Sequence, residues 1–259
     1  MMLTANQLSV RLGRRMILKD LSFSAMAGHV TAIVGPSGAG KSTLLAALTG
    51  DIDYSGSVTL DKRDLAKASA AELADLRAVL PQATPMSFPF TVLEVVRMGR
   101  LRRANDDRIA AEALARVGLV GFAGRFYQEL SGGEQQRVQL ARVLVQVWEP
   151  VGPKGPRWLF LDEPVSSLDI GHQLQVMQII QQFAAQGGGV VMVMHDLNLT
   201  SMCADSVILM AGGTLLHQGG SQETLRNDLL SRAYGCRIAV NRTPETGVFL
   251  LPQVAMAAD

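Results

Sequence analysis

The sequence predicts an α/β fold: a core built on a phosphate-binding P-loop, an N-terminal antiparallel β layer, and an inserted helical subdomain. Three observations predict it. Gly35-Pro36-Ser37-Gly38-Ala39-Gly40-Lys41-Ser42 fits G-x-x-x-x-G-K-[ST] between the apolar, β-branched run Val30–Val34 and the helix-like run Ser42–Leu48. Short alternating runs precede that loop, as in a hairpin-linked sheet. A long stretch of helical character, residues 83–145, separates Val79-Leu80 from a second buried run, Trp158–Leu161.

Taken in order, residues 3–10 alternate weakly and read as an edge strand. Gly13-Arg14-Arg15 reads as a turn, and Met16–Ser24 as a second strand. Ala27-Gly28-His29 turns the chain into Val30–Val34. Ser57–Leu60 continues the β layer, with a turn at Asp61-Lys62-Arg63-Asp64. Ala71–Leu76 reads as a short helix, and Val79-Leu80 ends a strand that delivers Pro81-Gln82. Residues 83–90 hold two prolines, with Met86, Phe88 and Phe90 exposed, and form no regular element. Thr91–Arg100 reads as an amphipathic helix stopped at Gly99, and Asp107–Gly118 as another. Ser131 looks like an N-cap with Glu134 completing a capping box, so a long helix runs from there to about Val147. Glu149–Pro156, rich in Pro and Gly, reads as a solvated loop. A helix is expected over Gln173–Ala185, a core strand over Val190–Met194, and a hairpin over residues 207–216. Helix signals at 221–234 are followed by weak strand signals. The whole chain, 1–259, then forms one nucleotide-binding domain. Residues 1–82 and 148–220 make its core, 83–147 its helical subdomain, and 221–259 a C-terminal segment.

Composition narrows the function. Hydrophobic residues make up 48% of the chain, ample for a core, and the net charge is +1. So even a balance creates no field that recruits nucleic acid or anionic lipid. No apolar run approaches the roughly 18 residues needed to span a bilayer, and we read no signal peptide. Cys203 and Cys236 form no metal-type spacing and read as idle thiols in a reducing compartment. Any membrane association is expected to come through a partner.

The motif carries chemistry. Gly35, Gly38 and Gly40 let backbone N–H groups turn inward, and with the following helix N-terminus they make a concave site for a polyphosphate. Lys41 reaches the β- and γ-phosphates, the Ser42 hydroxyl ligates Mg²⁺, and Thr43 continues the loop into the helix. Asp162, at the end of an apolar strand, is expected to hold Mg²⁺ across from Ser42. Glu163, one residue on, is expected to orient or deprotonate the attacking water. This is the pairing of a P-loop NTPase core.

Leu130-Ser131-Gly132-Gly133-Glu134-Gln135-Gln136-Arg137 resembles the signature motif of the ATP-binding cassette family. The order of motifs matches too: P-loop, Gln82, signature, Asp162-Glu163, Ser167-Leu168-Asp169, His195. The resemblance covers residues 3 to 220. It implies ATP and Mg²⁺ as cofactors and a homodimer in which two chains pair head to tail around two ATP molecules. Ser131, Gly132 and Gly133 of one chain would contact the γ-phosphate held by Lys41 of the other. Gln82 would reach Mg²⁺ and the attacking water, His195 would contact the γ-phosphate, and Asp169 would couple the sites across the interface. Leu12 stands near where many members carry an adenine-stacking aromatic, and Val165 where threonine is common. The family also implies two copies of a separate transmembrane permease, docked over residues 83–103 with the basic end Arg97, Arg100, Arg102 and Arg103. It implies a periplasmic binding protein acting indirectly, no nucleic-acid partner, and a peripheral position on the cytoplasmic face of the inner membrane. Phe88–Arg100 is similar to iron-chelate, haem and cobalamin importer ATPases, and Leu130–Gln146 and His195–Leu199 to the haem (hemin) importer group. A soluble cassette protein would usually carry two cassettes or a long coiled coil between P-loop and signature. No sustained heptads lie between Lys41 and Ser131.

Overall fold

The computed structural model describes residues 1–61, 63–82, 86, 88–100 and 107–254. Its elements in chain order are β1 (Met2–Leu12), β2 (Arg15–Met26), β3 (Val30–Val34), α1 (Lys41–Leu48), β4 (Ser55–Leu60), β5 (Arg63–Asp64), α2 (Ala70–Leu76) and β6 (Arg77–Leu80). There follow α3 (Val92–Arg97), α4 (Asp107–Arg116), α5 (Gly132–Gln146), β7 (Val151–Gly152), β8 (Gly155–Pro156) and β9 (Trp158–Asp162). The last are α6 (Ile170–Ala185), β10 (Gly189–Val193), α7 (Leu197–Cys203), β11 (Ser206–Ala211), β12 (Thr214–Gly219), α8 (Ser221–Thr224) and α9 (Asn227–Tyr234).

Two sheets carry the molecule. β2-β1-β4-β5 is antiparallel, and β12-β11-β3-β10-β9-β6 is parallel except for the β11–β12 hairpin. Strands β3, β9 and β10 are buried along their whole length, so alternate side chains serve two different cores. Ile33, Trp158, Phe160, Val191 and Val193 point toward the antiparallel sheet, with α1 in the same core. Val34, Leu159, Leu161, Val190 and Met192 point to the opposite core, which takes in α3 to α7. This two-sided burial explains why these runs are continuously apolar. α3, α4 and α5 all fall between β6 and β9 in the chain, which are nonetheless hydrogen-bonded neighbours.

Several expectations are corrected. β1 is an inner strand, paired with both β2 and β4. Its weak alternation comes from a register shift around Gln7, whose φ is 49°: the buried set is Leu3 and Ala5 before it, Leu8 and Val10 after it. Residues 149–156 contain a small β7–β8 hairpin turned at Pro153-Lys154. Behind it Arg157 is buried and donates to the Glu149 carbonyl at 2.8 Å. α6 starts at Ile170, three residues before the expected Gln173, because Asp169 accepts from the His172 N–H at 3.0 Å and caps it. Its exposed Ile170 and Gly171 hide the helical period there. Among the described residues no strand follows β12, and the tail ends in a 3₁₀ turn at Pro252–Val254.

Gly99 does not stop a helix by left-handed geometry. α3 ends at Arg97 and passes into a 3₁₀ turn, Met98–Arg100, where Gly99 lies against α5: an added Cβ would overlap the Arg142 carbonyl oxygen. Of the expected docking segment, Phe88 is 68% exposed while Met86 and Phe90 are half-buried against the core. Arg97 is tied to the Asp107 carboxylate at 2.8 Å through Nε. Ala83, Thr84, Pro85, Ser87, Arg102 and Arg103, and the Arg100 side chain, lie outside the described residues, as does Lys62.

Gly99→Ala should cost about 1–3 kcal/mol, the usual penalty of overpacking, read as a lower urea midpoint with unchanged slope. The two thiols should also separate by reactivity. Cys203 is buried and burial pushes its thiol up to about 12, whereas Cys236 is exposed. Iodoacetamide at pH 8 should modify Cys236 alone in the native chain and both thiols in urea, as counted by peptide mass.

Candidate active site

The parallel strands end together, so whatever follows them meets at one edge. Val193 is level with Ile33 on one side and Asp162 on the other, and Leu80 is level with Leu161. The residues just beyond are Gly35 onward from β3, Glu163 from β9, Met194-His195 from β10 and Pro81-Gln82 from β6.

Beyond β3 the chain makes a nest. Gly38 and Gly40 have φ of 78° and 95°, and Gly35 runs so close to the Met210 carbonyl that a Cβ would overlap it. Helix α1 opens at Lys41 from Gly40, which offers no side-chain cap. Its first-turn N–H groups thus have no side-chain acceptor, whereas α2, α3, α5, α6 and α7 are each capped by a serine, threonine or aspartate. Such a terminus suits an anion. Lys41 is buried and donates to the carbonyls of Gly35 at 2.8 Å and Pro36 at 3.0 Å. Burial lowers its pKa, and the carboxylates of Glu163 and Asp162 push it back up.

Asp162 shares the parity of Trp158 and Phe160, which aims its carboxylate at the core holding α1. There Oδ1 accepts from the Ser42 hydroxyl at 3.3 Å. Burial raises the Asp162 pKa, the Ser42 hydrogen bond lowers it, and neighbouring Glu163 raises it further. The pair offers hard oxygen donors, the set Mg²⁺ prefers beside phosphate and water ligands. Glu163 takes a left-handed conformation, φ 51°, with its N–H donating to the Val193 carbonyl at 3.2 Å. That twist swings its carboxylate out of the strand, and Oε1 meets His195 Nε2 at 2.6 Å.

Ser37, Gly38, Gly40, Lys41, Ser42, Thr43, Glu163 and His195 line one cleft of about 260 Å³. Pro36 joins it through its carbonyl on Lys41, and Ala39 is buried beneath. Gln82 is exposed just past β6 and is not among the lining residues. Ser131, Gly132 and Gly133 also lie outside the cleft, at the start of α5. Ser131 there accepts from the Glu134 N–H while Glu134 accepts from the Ser131 N–H, a closed capping box. Asp169 is exposed and its carboxylate is engaged with His172 Nδ1 at 2.8 Å.

One connection escaped the sequence. Gln136 reaches from α5 to the turn after β9, donating to the Glu163 carbonyl at 2.8 Å and accepting from the Ser167 N–H at 3.3 Å. A glutamine among other polar residues in the first turns of a helix was the available signal, and it points to no particular partner.

The anion nest closed against a strand-end carboxylate pair defines the chain as a P-loop nucleoside-triphosphatase. Residues 18–166 match the model of the ABC transporter family, and the chain belongs to that family. It is 57% identical to the hemin import ATP-binding protein HmuV of Jannaschia sp. (strain CCS1), over 98% of this chain and 95% of the relative. It is 56% identical to HmuV of Ruegeria sp. (strain TM1040), over 99% and 100%, and 52% identical to HmuV of Rhizobium meliloti (strain 1021), over 98% and 99%. Among solved structures it superposes on a bacterial Atm1-family ABC exporter with ATP bound, at TM-score 0.78 and 28% identity, covering 88% of this chain and 40% of the exporter. It also superposes on an inward-facing transporter described as of the metal-chelate type, at TM-score 0.73 and 25% identity, covering 89% and 88%. The chain is an ATP-binding subunit and an ATPase.

Lys41→Ala should weaken ATP binding about ten- to hundredfold, the worth of one lost charge-assisted hydrogen bond. Equilibrium titration with a fluorescent ATP analogue reads it, with circular dichroism checking the fold.

Proposed function

We propose that this chain is the ATP-hydrolysing subunit of a hemin importer, energising uptake through a separate permease. The observation that carries the reading is 57% identity across 98% of the chain to a hemin import ATP-binding protein. Among the described residues no helix is long and apolar enough to cross a membrane. A permease would therefore supply the span, with this subunit docked at the cytoplasmic face of the inner membrane. A periplasmic binding protein would deliver hemin to the permease, and this chain would not touch the cargo.

Residue roles follow from the cleft. The P-loop N–H groups, the start of α1 and Lys41 hold the ATP phosphates. Ser42 and Asp162 would hold Mg²⁺, which would supply positive charge against the ATP phosphates. Glu163 accepts a hydrogen bond from the attacking water, and His195 fixes the Glu163 carboxylate at 2.6 Å and faces the γ-phosphate. Gln82, exposed just past β6, would reach Mg²⁺ and the attacking water. Two chains pair head to tail, so that exposed Ser131 and Gly132, with Gly133, close over the partner's ATP, and exposed Asp169 lies across the interface. Their position outside their own cleft supports this arrangement. In this division residues 1–82 and 148–220 work as the catalytic core, 83–147 as the subdomain that moves against it, and 221–259 as an accessory segment. The permease would dock over residues 83–103, where Phe88 is exposed, leaving the ATP cleft free.

The test is reconstitution in vesicles with the neighbouring permease and loaded binding proteins. ATP-dependent uptake of hemin is expected, and Glu163→Gln should cut both uptake and ATP turnover about 10²–10⁴-fold. Uptake of a ferric siderophore or cobalamin in place of hemin would overturn the cargo. Intact ATP turnover with no uptake and no permease bound would overturn the transport role.

A further inference from the structure

Glu163 does not hold its geometry by itself. Its left-handed φ of 51° is unfavourable for a residue with a Cβ, and it begins the tight turn 163–168. Inside the turn the Ser166 N–H and hydroxyl donate to the Glu163 carbonyl at 3.3 and 3.2 Å. From outside it, Gln136 on α5 bridges the same carbonyl and the Ser167 N–H. One amide thus pins both ends of the turn, and its orientation is dictated by an acceptor on one side and a donor on the other. One helical turn earlier, Gly133 packs against the same segment: a Cβ there would lie 3.0 Å from the Ser167 carbonyl oxygen. Helix α5 is therefore seated on the Glu163 turn at two successive positions.

We propose that Gln136 is a positioning residue for hydrolysis. It holds the Glu163 backbone in the left-handed conformation that presents its carboxylate to His195 and to the attacking water. Because Gln136 and Ser131 share one helix, it also ties the partner-facing end of α5 to the chain's own Glu163. The inference rests on the reading of Glu163 as the water-orienting group.

Gln136→Met keeps the length of the side chain and removes both hydrogen bonds. Gln136→Glu keeps the acceptor for Ser167 and sets a carboxylate oxygen against the Glu163 carbonyl. Steady-state ATP turnover with Mg²⁺, direct ATP titration and thermal unfolding would be measured for each. In both variants kcat should fall about tenfold or more, with KM and the ATP dissociation constant within about twofold of wild type. Added to Glu163→Gln, Gln136→Met should change the residual turnover by less than about twofold, since the group it positions is already gone. A purely structural glutamine would lower the melting temperature and leave kcat per folded molecule unchanged, which overturns the proposal. So would a KM that rises as far as kcat falls, or a full further loss in the Glu163→Gln background. A fully active Glu163→Gln would remove the group acted upon, and overturns the reading of Glu163 together with the inference. If Gln136→Met does not fold, Gln136→Glu carries the same comparison.

Discussion

The site depends on one constraint: β9 is buried on both faces and stops at Asp162. A strand with two buried faces has no polar position to spare until it leaves the sheet. Its first carboxylate is therefore forced to the sheet edge, and the alternation of Trp158 and Phe160 decides that it faces α1. β10 beside it, and β3 on the far side of β10, are parallel and in register with it and bring His195 and Gly35 to the same level. The residues of the cleft come from distant parts of the chain, and strand register gathers them.

Much of this was legible beforehand because the signals were dense. The P-loop needs two glycines, a lysine and a serine or threonine at fixed spacing between a strand and a helix. The run Trp158–Leu161 can be little else than a buried strand, and Asp162-Glu163 follows at once. Ser131 and Glu134 announce their capping box by spacing alone, and the box is present. What stayed hidden depends on tertiary contact. Gly99 reads as a stop signal because a glycine at a close helix crossing looks the same in sequence as a glycine in a left-handed cap. β1 reads as an edge because a bulge at Gln7 shifts its parity halfway along, turning strict alternation into noise. The start of α6 is set by Asp169, whose capping role is invisible when the next two residues are an exposed isoleucine and a glycine.

Three of the places that break local rules fall in the elements that build the cleft and its proposed counterpart. α1 begins without a side-chain cap while most other helices have one. Glu163 adopts a positive φ where glycine or asparagine would be cheaper, at a cost of about 1–2 kcal/mol. α5 begins with Gly132-Gly133, each about 1 kcal/mol worse than alanine in a helix. Each departure leaves something exposed that a conforming residue would cover: backbone donors at α1, a carboxylate aimed out of the strand, a bare backbone at the head of α5. The surrounding structure has to hold the first two in place, while at the third the missing Cβ also lets Gly133 lie against the Ser167 carbonyl. For Glu163 that hold comes from β10 through its N–H and from α5 through Gln136. The Glu163 turn is thereby tied to β10 and to α5, so its geometry depends on how α5 is seated.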